Sequence, residues 1–264
     1  MLNLKGLNKV FNRNTVDEKI ALAEINLSLQ PGDFVTIIGS NGAGKSTLMN
    51  IVSGVYEPDL GTVEIDGKVV NDLSEHKRAP MIGRVFQDPM AGTAPTMTIE
   101  ENLAMAFARD KRRSLMRGVS KKRKEMFREY VTSLHLGLEN RLTAKVGLLS
   151  GGERQALSLL MATFTKPKVL LLDEHTAALD PARAQVITDL TREIVERDKL
   201  TTLMVTHNMQ QALDLGNRLI MMDKGRIILD VPPEKKQGLT VEQLLEEFAR
   251  IKGEKLDNDR VMLA

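Results

Sequence analysis

The sequence runs to 264 residues with 42% hydrophobic content, enough for one large domain or two closely joined ones with real cores. Its 37 Lys and Arg oppose 35 Asp and Glu, and a net charge of +2 gives no whole-molecule reason to expect a nucleic-acid partner. The lack of cysteine excludes a disulfide framework, a thiolate zinc site and a cysteine nucleophile; no apolar run approaches the ~18 residues that span a bilayer, and no secretory leader opens the chain, which reads as soluble.

In chain order, alternation at Ile25, Leu27 and Leu29, and again at Val63 and Ile65 before Asp66-Gly67, predicts antiparallel strands. Between them the unbroken apolar run Phe34 to Ile38 predicts a buried strand, followed by a glycine-rich loop and a helix from Lys45 to Val52. Helical signals dominate from about Thr98 to Phe164, where Thr98 with Glu101 and Ser150 with Glu153 have the spacing of capping boxes. Buried strands are predicted at Val169 to Leu172 and Thr202 to Val205. Asp223-Lys224-Gly225 joins the apolar runs Leu219 to Met222 and Ile227 to Leu229 as a hairpin turn would, and Pro232-Pro233 ends the strand region. A final helix over about Val241 to Lys252 precedes a polar tail.

Gly39-Ser40-Asn41-Gly42-Ala43-Gly44-Lys45-Ser46 fits the phosphate-loop pattern between a predicted strand and a predicted helix. Its glycines let successive N–H groups face an anion, and the helix starting near Lys45 adds its positive end. Lys45 is placed to reach the β- and γ-phosphates and the Ser46 hydroxyl to ligate Mg²⁺. The apolar strand ending in Asp173-Glu174 puts two acids beside the ligand crevice of an open α/β sheet. Asp173 is the candidate metal-side carboxylate and Glu174 the group that polarises the attacking water. On its own, such an acid pair more often starts a helix; the phosphate loop upstream reverses that balance in favour of the catalytic reading.

Leu149-Ser150-Gly151-Gly152-Glu153-Arg154-Gln155, about a hundred residues after the loop, resembles the signature sequence of the ABC ATPases. The resemblance covers Leu2 to about Asp230. It implies an α/β fold: a P-loop NTPase core with a mostly parallel sheet, an antiparallel β subdomain and a helical subdomain. The expected ATPase domain spans residues 1–231, with the helical insert at about 95–164, and residues 232–264 form a C-terminal helix and tail.

The same resemblance implies ATP contacts from Gly39 through Ser46 and Thr47, and from Phe11 stacking on adenine, with core packing as the competing role for Phe11. Gln87 looks like the glutamine that senses Mg²⁺, and His207 like the switch histidine at the γ-phosphate. Asp180, in Ala178-Leu179-Asp180, resembles the loop that communicates between sites. Ser150, Gly151 and Gly152 of one subunit are expected to close over the ATP of another. His175 and Ala177-Ala178 depart from the commonest pattern, which has proline after the glutamate and often a serine next.

The partners implied are a second ATPase subunit, an integral membrane permease and an extracytoplasmic solute-binding protein, with the chain on the cytoplasmic face of the membrane. The expected work is ATP-driven import of a small solute of amino-acid-like kind; the alternative is a soluble ABC ATPase of iron–sulfur assembly, ribosomes or nucleic acid. Nine basic residues between Arg109 and Lys124 suit an anionic lipid surface or simply a solvated face. Met90, Met97 and Met105 suit either a partner groove or a core.

Overall fold

The computed structural model describes residues 1–109 and 118–262, with residue 252 and residues 254–262 described through their backbone only. The amino-terminal part forms an antiparallel sheet from β1 (Leu2–Phe11), β2 (Lys19–Leu29), β4 (Leu60–Ile65) and β5 (Lys68–Val69), in the order β2-β1-β4-β5. The buried run, β3 (Phe34–Gly39), leaves this sheet and enters a second one with β6 (Ile82–Val85), β7 (Val169–Asp173), β8 (Thr201–Val205), β9 (Arg218–Asp223) and β10 (Arg226–Val231). Its order is β10-β9-β3-β8-β7-β6, parallel except for the final hairpin. An apolar strand that is buried on both faces belongs in a parallel sheet covered by other layers.

Those layers are α1 (Lys45–Ser53) and the antiparallel sheet on one face, which share a core including Leu4, Ile25, Leu48, Val63 and Leu171. The short α2 (Glu75–Arg78) borders this side. The other face carries α3 (Ile99–Phe107), α4 (Lys121–Thr132), α5 (Gly151–Thr163) and α6 (Pro181–Asp198), packed around Phe127, Leu157, Leu170 and Leu172. A third cluster, including Leu219 and Leu244, joins α7 (Met209–Asp214), β9 and the last helix, α9 (Val241–Met262); α8 (Pro233–Lys236) begins at the second proline of the pair.

Both expected capping boxes form. The Thr98 hydroxyl accepts from Glu101 N while Glu101 Oε2 accepts from Thr98 N at 2.7 Å, and the Ser150–Glu153 box repeats the geometry. The last helix extends ten residues past the expected end at Lys252, because the polar sequence beyond it contains no proline and its one glycine, Gly253, is tolerated. Of the basic segment, Lys111, Arg112, Arg113 and Arg117 lie outside the described residues. Among the others, Lys124 pairs with Glu100 at 2.9 Å and Arg123 lies 5.4 Å from the Phe107 ring centre, so this part is tied into the helical layer.

One buried cation secures the helix that follows the glycine loop. Arg78 is 1% exposed; its Nη1 donates to the Ile51 and Val52 carbonyls at the end of α1, Nε to Leu73 O and Nη2 to Asn71 O. A guanidinium suits this place because it offers several fixed donors and meets the negative end of the helix. Arg78→Met is expected to lower the urea stability by about 3 kcal/mol, since it strands buried carbonyls, with the denaturant slope unchanged. A loss below about 0.5 kcal/mol would contradict this capping role.

Candidate functional site

Strands β3, β7 and β8 run parallel and finish at one edge of the sheet, so the glycine loop, the acids after β7 and the histidine after β8 emerge together. The loop needs glycine where it is most crowded. At Gly44, with φ +100°, a Cβ would stand 2.4 Å from Ala21 O, and at Gly39, with φ +153°, 2.2 Å from Met222 O. The loop is further pinned to the β9–β10 turn: Gly225 N donates to Ala43 O at 3.0 Å and the Ser40 hydroxyl to Asp223 Oδ1 at 3.1 Å. The first bond within α1 runs from Leu48 N to Gly44 O, which leaves the preceding N–H groups at the helix head for another acceptor.

Lys45 is 5% exposed and curls back, Nζ donating to Gly39 O at 2.8 Å and Ser40 O at 3.0 Å. Burial pushes its ammonium below the usual lysine range, while the Glu174 and Asp173 carboxylates pull the other way. Phe11, Lys19, Ala21, residues 41–47, Glu174 and His207 line a cavity of about 260 Å³. Phe11 meets Tyr56 edge-on, 5.3 Å between centroids, and leaves ring surface on this cavity. The loop amides, the helix head and Lys45 are donors and positive charge gathered on one concavity, and they fit a polyphosphate.

Glu174 takes φ +46°, uncommon for a residue with a side chain, and its N–H donates to Val205 O at 2.9 Å. Its Oε1 lies 2.6 Å from His207 Nε2, and the pair forms one wall of the cavity. The same pair also lines a second cavity of about 480 Å³ between α6 and α7. Asp173 faces Arg84, its Oδ2 3.4 Å from Nη2. Gln87 stands two residues beyond β6, the strand next to the one that ends in Asp173; it is exposed and does not line the loop cavity.

The remaining candidates lie elsewhere. Ser150, Gly151 and Gly152 head α5 and do not line the loop cavity; a Cβ on Gly151 would meet Leu179 at 3.4 Å and one on Gly152 would meet Arg183 at 3.3 Å. Asp180 caps α6, accepting from Arg183 N at 3.1 Å, and does not line that cavity either. His175 turns into the core. Thr191 gives its hydroxyl proton to Ile187 O at 2.7 Å, so it accepts from His175 Nε2 at 2.9 Å; burial pushes this ring down to about 4 and keeps it neutral. Sequence reading missed Lys19, Asp223 and Arg84. Only Arg84 left a signal, as a charge inside the short strand before Gln87.

Residues 22–177, more than half of the chain, match the profile of the family described as ABC transporter. The chain belongs to the ABC transporter family. It is that family's ATP-binding, ATP-hydrolysing cassette. Among its relatives, the tyrosine transport ATP-binding protein of Clostridioides difficile is 44% identical, over 94% of this chain and 98% of the relative. The methionine import ATP-binding protein of Oceanobacillus iheyensis is 33% identical, over 93% and 72%. A solved dimeric ATP-binding cassette in a post-hydrolysis state, bound to ADP and Pi, superposes with a TM-score of 0.76 at 30% identity, covering 88% of this chain and 99% of that one. For this cassette, Gly44→Ala is expected to weaken ATP binding at least tenfold in titration calorimetry, about 1.4 kcal/mol or more, with the circular dichroism unchanged. Unchanged affinity would contradict the close approach of Gly44 to Ala21.

Proposed function

We propose that this chain is the ATPase subunit of an importer for an amino-acid-like solute, and that two copies work on a separate membrane permease. The observation that carries the catalytic part is the single cavity shared by the glycine loop, Lys45, Glu174 and His207. The similarity to the tyrosine transport protein over nearly the full length of both chains supports the solute class. The relatives named above are transport proteins, which goes against a soluble ABC ATPase.

In this reading Phe11 stacks on the base, residues 39–47 seat the phosphates, and Lys45 neutralises their charge. Ser46, Asp173 and Gln87 are hard oxygen donors of the kind Mg²⁺ takes. These three side chains would hold the ion beside the bound phosphates. When bound, Mg²⁺ neutralises charge on the β- and γ-oxygens. Glu174 orients and deprotonates the attacking water. With His207 2.6 Å away it already has a partner, so His207 must turn towards the γ-phosphate to free it. Ser150, Gly151 and Gly152, outside their own chain's cavity, close over the phosphates of the second copy, and Asp180 lies beside them at the head of α6.

Among the described residues no helix is long and apolar enough to cross a membrane, so attachment to the membrane's inner face rests with the permease, and solute delivery with an extracytoplasmic binding protein. Affinity purification of the tagged chain from native membranes is expected to recover a polytopic membrane protein. The ATPase of that complex is expected to rise on adding tyrosine or a related amino acid with the cognate binding protein, and to fall at least about 100-fold in Glu174→Gln. Recovery of soluble partners alone would refute the transporter role; full turnover in Glu174→Gln would refute the role of Glu174.

A further inference from the structure

Arg84 is a half-buried cation beside the site to which none of the roles above gives a task. It lies on β6, the edge strand, in register with Leu171 of β7, and its side chain leaves the sheet on the face of Asp173 and α1. Nη2 donates to Asn50 Oδ1 at 2.8 Å and Nη1 to the Ser53 hydroxyl at 3.1 Å, both on α1. The Phe86 ring centre lies 4.6 Å from Cζ, and Nε is buried without a hydrogen-bond partner.

These neighbours are neutral. The one carboxylate that ion-pairs with Arg84 among the described residues is Asp173, and the two side chains are only 12% and 16% exposed. A guanidinium so far from water needs an opposing charge. Yet 3.4 Å is long beside the ~2.7–2.9 Å of a tight charge-assisted hydrogen bond. The pair is held by charge and not by a locked fork, which is the arrangement of a contact that can be shared.

We propose that Arg84 is a positioning residue that serves as the resident counter-charge of Asp173, so that a divalent ion arriving with the nucleotide must share this carboxylate with it. The proposal rests on the reading of Asp173 as the metal-side acid. By gripping Asn50 and Ser53, Arg84 also fixes Asp173 relative to α1, the helix that carries Lys45 and Ser46. Without a metal it shields the phosphates from the Asp173 charge; with a metal it repels the ion. Both effects make nucleotide binding less dependent on metal than a neutral residue at position 84 would.

The test is calorimetric titration of the full chain with ADP, once in EDTA and once in excess Mn²⁺, which gives the ratio of the two affinities without any turnover. In Arg84→Met the ratio is expected to rise at least fivefold, and in Arg84→Lys, which keeps the charge, to return to within about twofold of wild type. Arg84→Gln supplies the neutral variant if the methionine protein does not fold. A ratio unchanged in the neutral variant, with only the melting temperature lowered, would make Arg84 a mere brace of the edge strand and overturn the proposal. Asp173→Asn separates the two claims. If it lowers the ratio while the neutral Arg84 variant does not move it, Arg84 alone was misread; if it leaves the ratio at the wild-type value, the reading of Asp173 fails and the proposal with it.

Discussion

The site is organised around the burial of one charge. The Lys45 ammonium is nearly out of water, with two backbone carbonyls as hydrogen-bond acceptors and two carboxylates as opposing charge. Burial disfavours the charged form, so the loop is stabilised by any anion that reaches Lys45 and the helix head together. The crowded glycine at position 44, the parallel strands that deliver Asp173 and Glu174 to the same edge, and Arg78 holding the far end of α1 all keep that concavity in shape.

The fold gives each chain only part of what the sequence contains. Glu174 and His207 share a cavity with the glycine loop, whereas Ser150, Gly151 and Gly152 lie against Leu179 and Arg183 and stay out of it. Both regions begin helices and both present backbone donors. In the function proposed above, a site that uses both needs a second copy. The contact of Gly151 and Gly152 with the segment around Asp180 puts the two elements expected at such a contact next to each other.

Much of this was legible in the sequence where local chemistry fixes local structure. The glycine loop stood between an apolar run and a helical pattern, and two capping boxes marked the starts of α3 and α5. The long α6 was not anticipated, although Asp180-Pro181 is a helix start in which the acid caps and the proline fills the first turn. The acids before it drew attention to catalysis instead. β6 is four residues long, too short for a period to show, and with it Arg84 was lost. The pairing of Arg84 with Asp173 spans 89 residues and follows only from strand order, which no local pattern encodes. His175 stood out in the sequence only as a departure from the commonest pattern; in the structure it is a neutral ring packed against Thr191 of α6.

The most direct test of the proposed two-chain site is sedimentation velocity of Glu174→Gln, which should hold ATP without consuming it, with and without Mg²⁺ and ATP. Nucleotide-dependent conversion of monomer to dimer, abolished when Ser150 is also replaced by a bulky residue such as Phe, is the expected result. A chain that stays monomeric with ATP bound, or that dimerises equally well without nucleotide, would contradict it.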